Sequence, residues 1–296
     1  MTTDRDRHHG ATDPIPAAAR AANLRLWNAW TRIHEKSAFY DVEGFKAGAT
    51  SLWPLEIEEL GPFVHEGTTL LHLQCHFGMD TLSWARRGAD VVGLDLSGEA
   101  IGLARRLADE VGLSRRAAFV CADLYDADAH LGDRLFDVVF VSWGALEWLP
   151  DLERWAGIVA RHLVPGGTFY LAEIHPFAGG LDEVPGEHDV RVGYDLLPAP
   201  GRPIVEPVEG SYADRSAVTT GLVSYGWTHD LAEILGALIG AGLRVEHLHE
   251  LPTSPAPFWD WMVQDEARWW WLPDGKGGLR RDLPLSFSIR ATRPAT

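Results

Sequence analysis

The chain has 296 residues, of which 46% are hydrophobic and 23% charged, the balance of an ordinary folded protein. A formal net charge of -16 argues against broad electrostatic attraction to nucleic acid or to an anionic membrane surface. Two cysteines exclude a disulfide framework, and neither a membrane-spanning stretch nor a signal core is visible, so a cytoplasmic protein is expected.

Residues 1–18 are polar, then rich in Pro and Ala, and are expected to be a mobile tail. In "RAANLRLWNAWTRIHEK", Leu24, Trp27 and Trp30 fall at helical spacing, and "SLWPLEIEELGPFV" predicts a second short helix ending at Gly61-Pro62. Residues 19–65 therefore form a helical cap. From residue 68 the pattern alternates. "TTLLHLQ", "DVVGLDL", "RAAFVCADL", "LFDVVFVSWG" and "TFYLAEIH" predict strands; "GMDTLSWARRGA", "EAIGLARRLADEVGL" and "LERWAGIVARHLVPGG" predict the helices between them. Such repeated βαβ units mean a parallel sheet covered on both faces.

Residues 175–228 break that rhythm with Pro, Gly and short β-like pieces, and their length suits an inserted lid. "HDLAEILGALIGAGL" restores a helix, and "LRVEHLHEL" and "LPLSFSIRATRP" are two more strands. A second long connection between them is crowded with Trp. Residues 66–174 and 229–296 thus make up the core.

In a doubly wound sheet, ligands bind where loops leave the carboxyl ends of the strands. The first such loop is "LHLQCHFG", which leads to a helix N-terminus and keeps Gly78 where the backbone must approach closely. The second strand ends at Asp95, placed to accept hydrogen bonds from ribose hydroxyls, and a carboxylate there disfavours NADP. The third ends at Asp123, which can accept from an exocyclic adenine amine. Both acids have the alternative role of helix N-caps. A metal cluster of His72, Cys75 and His76 is disfavoured: alternation sends His72 and Cys75 to opposite faces, no further ligand pair is evident, and no metal is expected. Cys75 and Cys121 end strands that are not neighbours in the usual order, which predicts buried thiols rather than a bridge. An NAD dehydrogenase fits poorly, because no GxGxxG follows the first strand.

With these residues the chain resembles the class I S-adenosylmethionine (SAM)-dependent methyltransferases, over residues 66–174 and the strands after 229. In that family the first motif is apolar-Asp/Glu-x-Gly-x-Gly-x-Gly. Here His72, Gln74, His76 and Gly78 stand at the matching positions, a variant that keeps only the last glycine. The resemblance implies a Rossmann-like, mostly parallel seven-stranded α/β sheet whose antiparallel last strand is inserted beside its neighbour. It implies SAM as cofactor, held by Gln74, His76 and Gly78 of the first loop, with Asp95 on the ribose, Asp123 on the adenine, Leu96 and Leu124 flanking the base, and Ser142 beside the methionine moiety; Tyr40, in "SAFYDV" of the cap, is placed to close over that cofactor.

Methyl transfer from a sulfonium needs a positioned nucleophile, exclusion of water and sometimes a proton acceptor. His175, just past the fifth strand, and Glu147, after the fourth, are candidates for the proton; their bland alternatives are a backbone cap and a solvated helix-start carboxylate. His34 and Trp143 are candidates on the substrate side. Trp143, Trp148, Trp259, Trp261 and Trp269 to Trp271 lie mostly on connections, where they can cover a flat substrate or pack a lid. The Asn-Pro-Pro-aromatic signature of base and amide methylation is absent. A monomer or homodimer acting on the O, N or C nucleophile of a small molecule, such as a natural-product intermediate, is the resulting expectation. Its alternatives are other SAM-consuming chemistry (cyclisation, or transfer of another carbon chain) and a non-catalytic SAM-binding module.

Overall fold

The computed structural model describes residues 17–196 and 201–295. The tail expected over residues 1–18 lies outside them, apart from Ala17 and Ala18, which open the first helix. The cap consists of α1 (Ala17–His34), α2 (Val42–Lys46), α3 (Pro54–Glu59) and a 3-10 turn over Gly61–Phe63. The alternating core follows: β1 (Thr69–Leu73), α4 (Met79–Arg86), β2 (Asp90–Asp95), α5 (Gly98–Glu110), β3 (Ala117–Cys121), α6 (Ala127–Leu131), β4 (Phe136–Ser142), α7 (Leu152–His162) and β5 (Leu163–Ile174). After the short α8 (Pro176–Gly179) come two antiparallel hairpins, β6 (Leu181–Val184) with β7 (Asp189–Val192), and β8 (Ile204–Val208) with β9 (Leu222–Gly226). The chain ends with α9 (Leu231–Gly240), β10 (Arg244–Leu251), β11 (Thr253–Ser254), β12 (Val263–Gln264), β13 (Trp270–Trp271) and β14 (Ser286–Thr292).

Among the described residues the main sheet has seven strands in the order β10-β14-β5-β4-β1-β2-β3. Strands β1 to β5 pair in parallel, and β14 is inserted antiparallel between β5 and β10. The strand order reverses between β1 and β4, which fixes where a crevice opens at the carboxyl edge. Both faces are covered. Leu71, Leu73, Val139, Val141 and Ile289 pack toward α7 and α9, while Leu70, Phe140 and Tyr170 pack toward Trp84 and the cap. Side chains that alternate in a strand therefore all find apolar partners, as a doubly covered parallel sheet requires.

Helix starts are set by side-chain caps. Ser97 accepts from the Ala100 N–H, Asp151 from that of Arg154, and Asp230 from that of Glu233. The α7 segment differs from expectation at its end: the chain turns to strand at Leu163 and passes through Pro165-Gly166-Gly167 with a register shift between Phe136 and Val138 on its partner. The Trp-rich connection after β10 also differs. It forms a separate three-stranded sheet, β11-β13-β12, whose Met262 and Leu272 pack on Leu181 of the first hairpin. The thiol of Cys75 is buried as expected; that of Cys121 is exposed, because β3 is an edge strand.

Candidate functional site

A cavity of about 660 Å³ opens over the carboxyl ends of β1, β2, β3 and β4. Its floor is the loop 74–78. Gln74, His76 and Gly78 all take positive φ, at 55°, 50° and 76°. Two of these residues carry side chains, so the backbone follows a path that glycine adopts freely, at roughly 1 to 2 kcal/mol for each non-glycine residue. Their side chains are tied down in return. Gln74 Nε2 donates to the Ala145 carbonyl at 2.8 Å, and His76 Nε2 is hydrogen-bonded to His34 Nδ1 at 2.8 Å. Only glycine fits at 78, where a Cβ would lie 2.6 Å from the Phe119 ring.

Asp95 holds this loop from the next strand. Its Oδ2 accepts from the His76 N–H and its Oδ1 from the Ser97 N–H, each at 2.8 Å. Burial raises its pKa to about 6, the two backbone bonds opposing the rise. At the end of β3, Asp123 caps the turn by accepting from the Tyr125 N–H and pairs with Arg20 Nε of α1 at 2.8 Å. Asp123 is thus both the N-cap and a cavity wall.

At the variant position, His72 is buried between Thr81 Oγ1 (2.8 Å) and Ser142 Oγ (3.3 Å), and burial lowers its pKa to about 3. It stays neutral and joins β1 to α4. The Ser142 hydroxyl lies 3.3 Å from Asp80 Oδ2, so a carboxylate from the first turn of α4 reaches the cavity beside β1. Trp143, with φ 30°, turns its indole to donate to Glu56 Oε1 at 3.0 Å. Glu56 also accepts from the Trp53 N–H, and burial holds its carboxyl well above the usual range.

The loop after β4 is held by Glu173 of β5. This buried carboxylate accepts from the N–H groups of Gly144, Ala145, Leu146 and Ile174 at 2.5 to 3.1 Å. Glu147 follows on the same loop, its carboxylate against Gly144 and open to solvent.

The cap and the β8–β9 hairpin close the cavity from above. Asn23 exchanges two hydrogen bonds with the Tyr225 backbone at 2.8 and 2.9 Å, and Trp30 Nε1 donates to the Gly210 carbonyl at 2.9 Å. The Tyr40 and Tyr212 hydroxyls are hydrogen-bonded, and Trp27 meets Trp148 edge to face at 5.3 Å. Trp27, Tyr40, Trp148 and Tyr212 give this part of the wall its aromatic character.

Of the residues singled out in the sequence, Tyr40, Gln74, His76, Gly78, Asp95, Leu96, Asp123, Leu124, Ser142 and Trp143 line this one cavity. Three placements need correction. Glu147, a candidate for the proton, is exposed and stands outside the lining. His34, expected on the substrate side, is fully buried; it links His76 to Ser211 Oγ (2.6 Å), with its pKa lowered to about 3 by burial. His175, expected at the pocket mouth, lies outside the lining: its Nδ1 accepts from the Phe177 N–H and its Nε2 pairs with Glu250 at 3.0 Å. A strand that ends in His-Pro presents the imidazole to its own turn. Sequence reasoning missed Arg20, Asp80, Glu173 and Tyr212. Only Asp80 carried a local signal, an acid in the first helical turn after Gly78.

Residues 71–171 match the family model for a methyltransferase domain. A ubiquinone biosynthesis O-methyltransferase of Pectobacterium atrosepticum is 31% identical over 141 residues, 47% of this chain and 57% of that protein. The chain thus spans little more than half the length of that curated relative. A putative SAM-dependent methyltransferase from Listeria monocytogenes superposes with a TM-score of 0.56 at 18% identity, covering 80% of this chain and 97% of that one. A SAM-dependent methyltransferase from Mesorhizobium loti gives 0.53 at 23% identity, with 84% and 100% covered. At such identities the structural likeness is one of fold. Residues 71–171 thus match a methyltransferase domain in sequence, and the chain shares the fold of these two structures.

Proposed function

We propose that the chain is a SAM-dependent methyltransferase that acts on a small molecule. The observation that carries this is the junction of the 74–78 loop with Asp95, with Asp123 at the next strand end, all on one cavity. Two polar atoms of that loop, Gln74 Oε1 and His76 Nδ1, are buried without a hydrogen-bond partner among the described residues, which fits a floor completed by a ligand. When bound, SAM supplies an electrophilic methyl group on sulfur.

The roles proposed for the residues follow from what each can donate or accept. Asp95 has lone pairs left for ribose hydroxyls after accepting two backbone bonds. Asp123, neutralised in part by Arg20, faces an adenine amine, with Leu96 and Leu124 as apolar walls. His72 cannot play the part of the family's first-strand acid, because it is buried and neutral. Asp80, beside Ser142, supplies a carboxylate for the methionine ammonium instead. The aromatic cap orients a flat acceptor and excludes water, and positioning of this kind accounts for much of the rate of a displacement.

The similar Pectobacterium protein is named for O-methylation, so a phenolic or other hydroxyl is the first acceptor class to try. Residues 175–228, fastened to α1 through Asn23 and Trp30, serve as the lid. Mass spectrometry of turnover across hydroxyl, amine and acidic-carbon acceptors tests the proposal. S-adenosylhomocysteine with a methylated product supports it; methylthioadenosine released without an acceptor would point to cyclisation or alkyl transfer.

A further inference from the structure

Outside the cavity lining, Glu59 of α3 meets the edge strand β10. "HLH" at residues 247 to 249 puts two imidazoles on one face of the strand, since positions i and i+2 share a side. The rings stack at 4.1 Å. Glu59, at the end of α3, extends its carboxylate to both: Oε1 is 2.5 Å from His249 Nδ1, and Oε2 is 3.7 Å from His247 Nε2.

We propose that Glu59, His247 and His249 bind a divalent transition-metal ion of the zinc class, which would clasp the cap to the sheet edge. One ligand atom from each residue lies within 4.8 Å of the other two. The 3.7 Å gap is too long for a hydrogen bond, and His247 Nε2 is buried with no hydrogen-bond partner. Ligand atoms about 2.0–2.1 Å from a tetrahedral zinc stand roughly 3.3 Å apart, so the gap is near the edge length of such a shell.

The donor set has the right chemistry as well. Two imidazole nitrogens and one carboxylate suit zinc and leave a fourth position for water. Glu59 is mostly buried, has no Lys or Arg partner among the described residues, and is oriented by the Tyr170 hydroxyl, which donates to Oε2 at 2.8 Å. A hydrogen-bonded ligating carboxylate of this kind is a regular feature of metal sites. His249 is half exposed; metal entry requires its ring to turn out of the stack on His247. No spacing rule joins Glu59 to these histidines, which follow it by 188 and 190 positions.

The test uses the full chain without a histidine tag. Zinc is measured by elemental analysis after extensive dialysis, and cobalt(II) is titrated in as a visible-absorption probe. One tightly held zinc per chain, intense cobalt bands of low coordination number, and a zinc-dependent rise in Tm are expected. All three should be lost in H247A/H249A. If that variant fails to fold, His249→Ala, at the exposed ring, should lose the bands while keeping the circular dichroism of the parent. Because the sequence also holds His8 and His9, the comparison between variants decides. Zinc held equally by parent and variant, or by neither, overturns the proposal and leaves Glu59 in its hydrogen bond to His249 only. None of these readouts involves SAM, so the outcome is separate from that of the proposed function.

Discussion

The backbone N–H of His76 and the carboxylate of Asp95 are 2.8 Å apart, which makes the loop after β1 and the end of β2 a single unit. An acid that only contacted a ligand could be replaced without disturbing the loop. Here it also fixes a residue of positive φ. Replacement of Asp95 by Ala is therefore expected to relax the 74–78 loop, seen as faster amide exchange there, besides weakening any ligand.

Protonation should have a related effect. Asp95 takes up its proton near pH 6, so affinity for an adenosyl ligand is expected to fall as pH drops through 6 and to level off above about 7. Calorimetric dissociation constants across pH 5–8 check this; a flat profile would remove Asp95 from the contact.

Gly78 sets the start of α4. Gly78→Ala must place a methyl group against the Phe119 ring while holding φ at 76°. A loss of about 2–4 kcal/mol is expected, or roughly 5–10 °C in Tm, measured by thermal unfolding.

Glu173→Gln should loosen the loop after β4. An amide presents its own N–H groups toward the Gly144, Ala145 and Leu146 donors, so at least two of four bonds are lost. A cost of about 2 kcal/mol or more is expected. Exchange of those three amides should quicken, and urea unfolding gives the energy.

His72 is neutral when folded, with a pKa near 3, and titrates near 6.5 when unfolded. Its folded pKa is the lower one, so the unfolded state takes up the proton first. The stability linked to His72 is full above pH 6.5 and falls as pH drops below it, by about 2 kcal/mol at pH 5. Buried carboxyls with raised values act in the opposite sense. The effect must therefore be read as the difference between the parent and His72→Gln, which should shrink by that amount from pH 7 to pH 5.

The parallel sheet was legible because its inner strands β1, β2, β4 and β5 are buried on both faces and read as apolar runs bounded by a helix start or stop. Asp95 and Asp123 were legible because a strand end is a place that sequence can mark. The connections were less so. Nothing local tells that Thr253 to Trp271 form a small sheet of their own, since its two-residue strands are held by packing on Met262 and Leu272. His34 and His175 were misplaced because the direction of a side chain at an element's end depends on what it can bond to. Those partners, Ser211 and Glu250, lie 177 and 75 positions away. Glu173 was passed over in "LAEIH" for the same reason: its four donors come mainly from the loop after β4.

Calorimetric titration of the folded chain with SAM and with S-adenosylhomocysteine tests the central claim most directly. One site per chain is predicted for each, with Asp95→Ala binding about 30-fold or more weakly, the equivalent of about 2 kcal/mol. No heat from either ligand at millimolar concentration, or an unchanged dissociation constant in that variant, would contradict it.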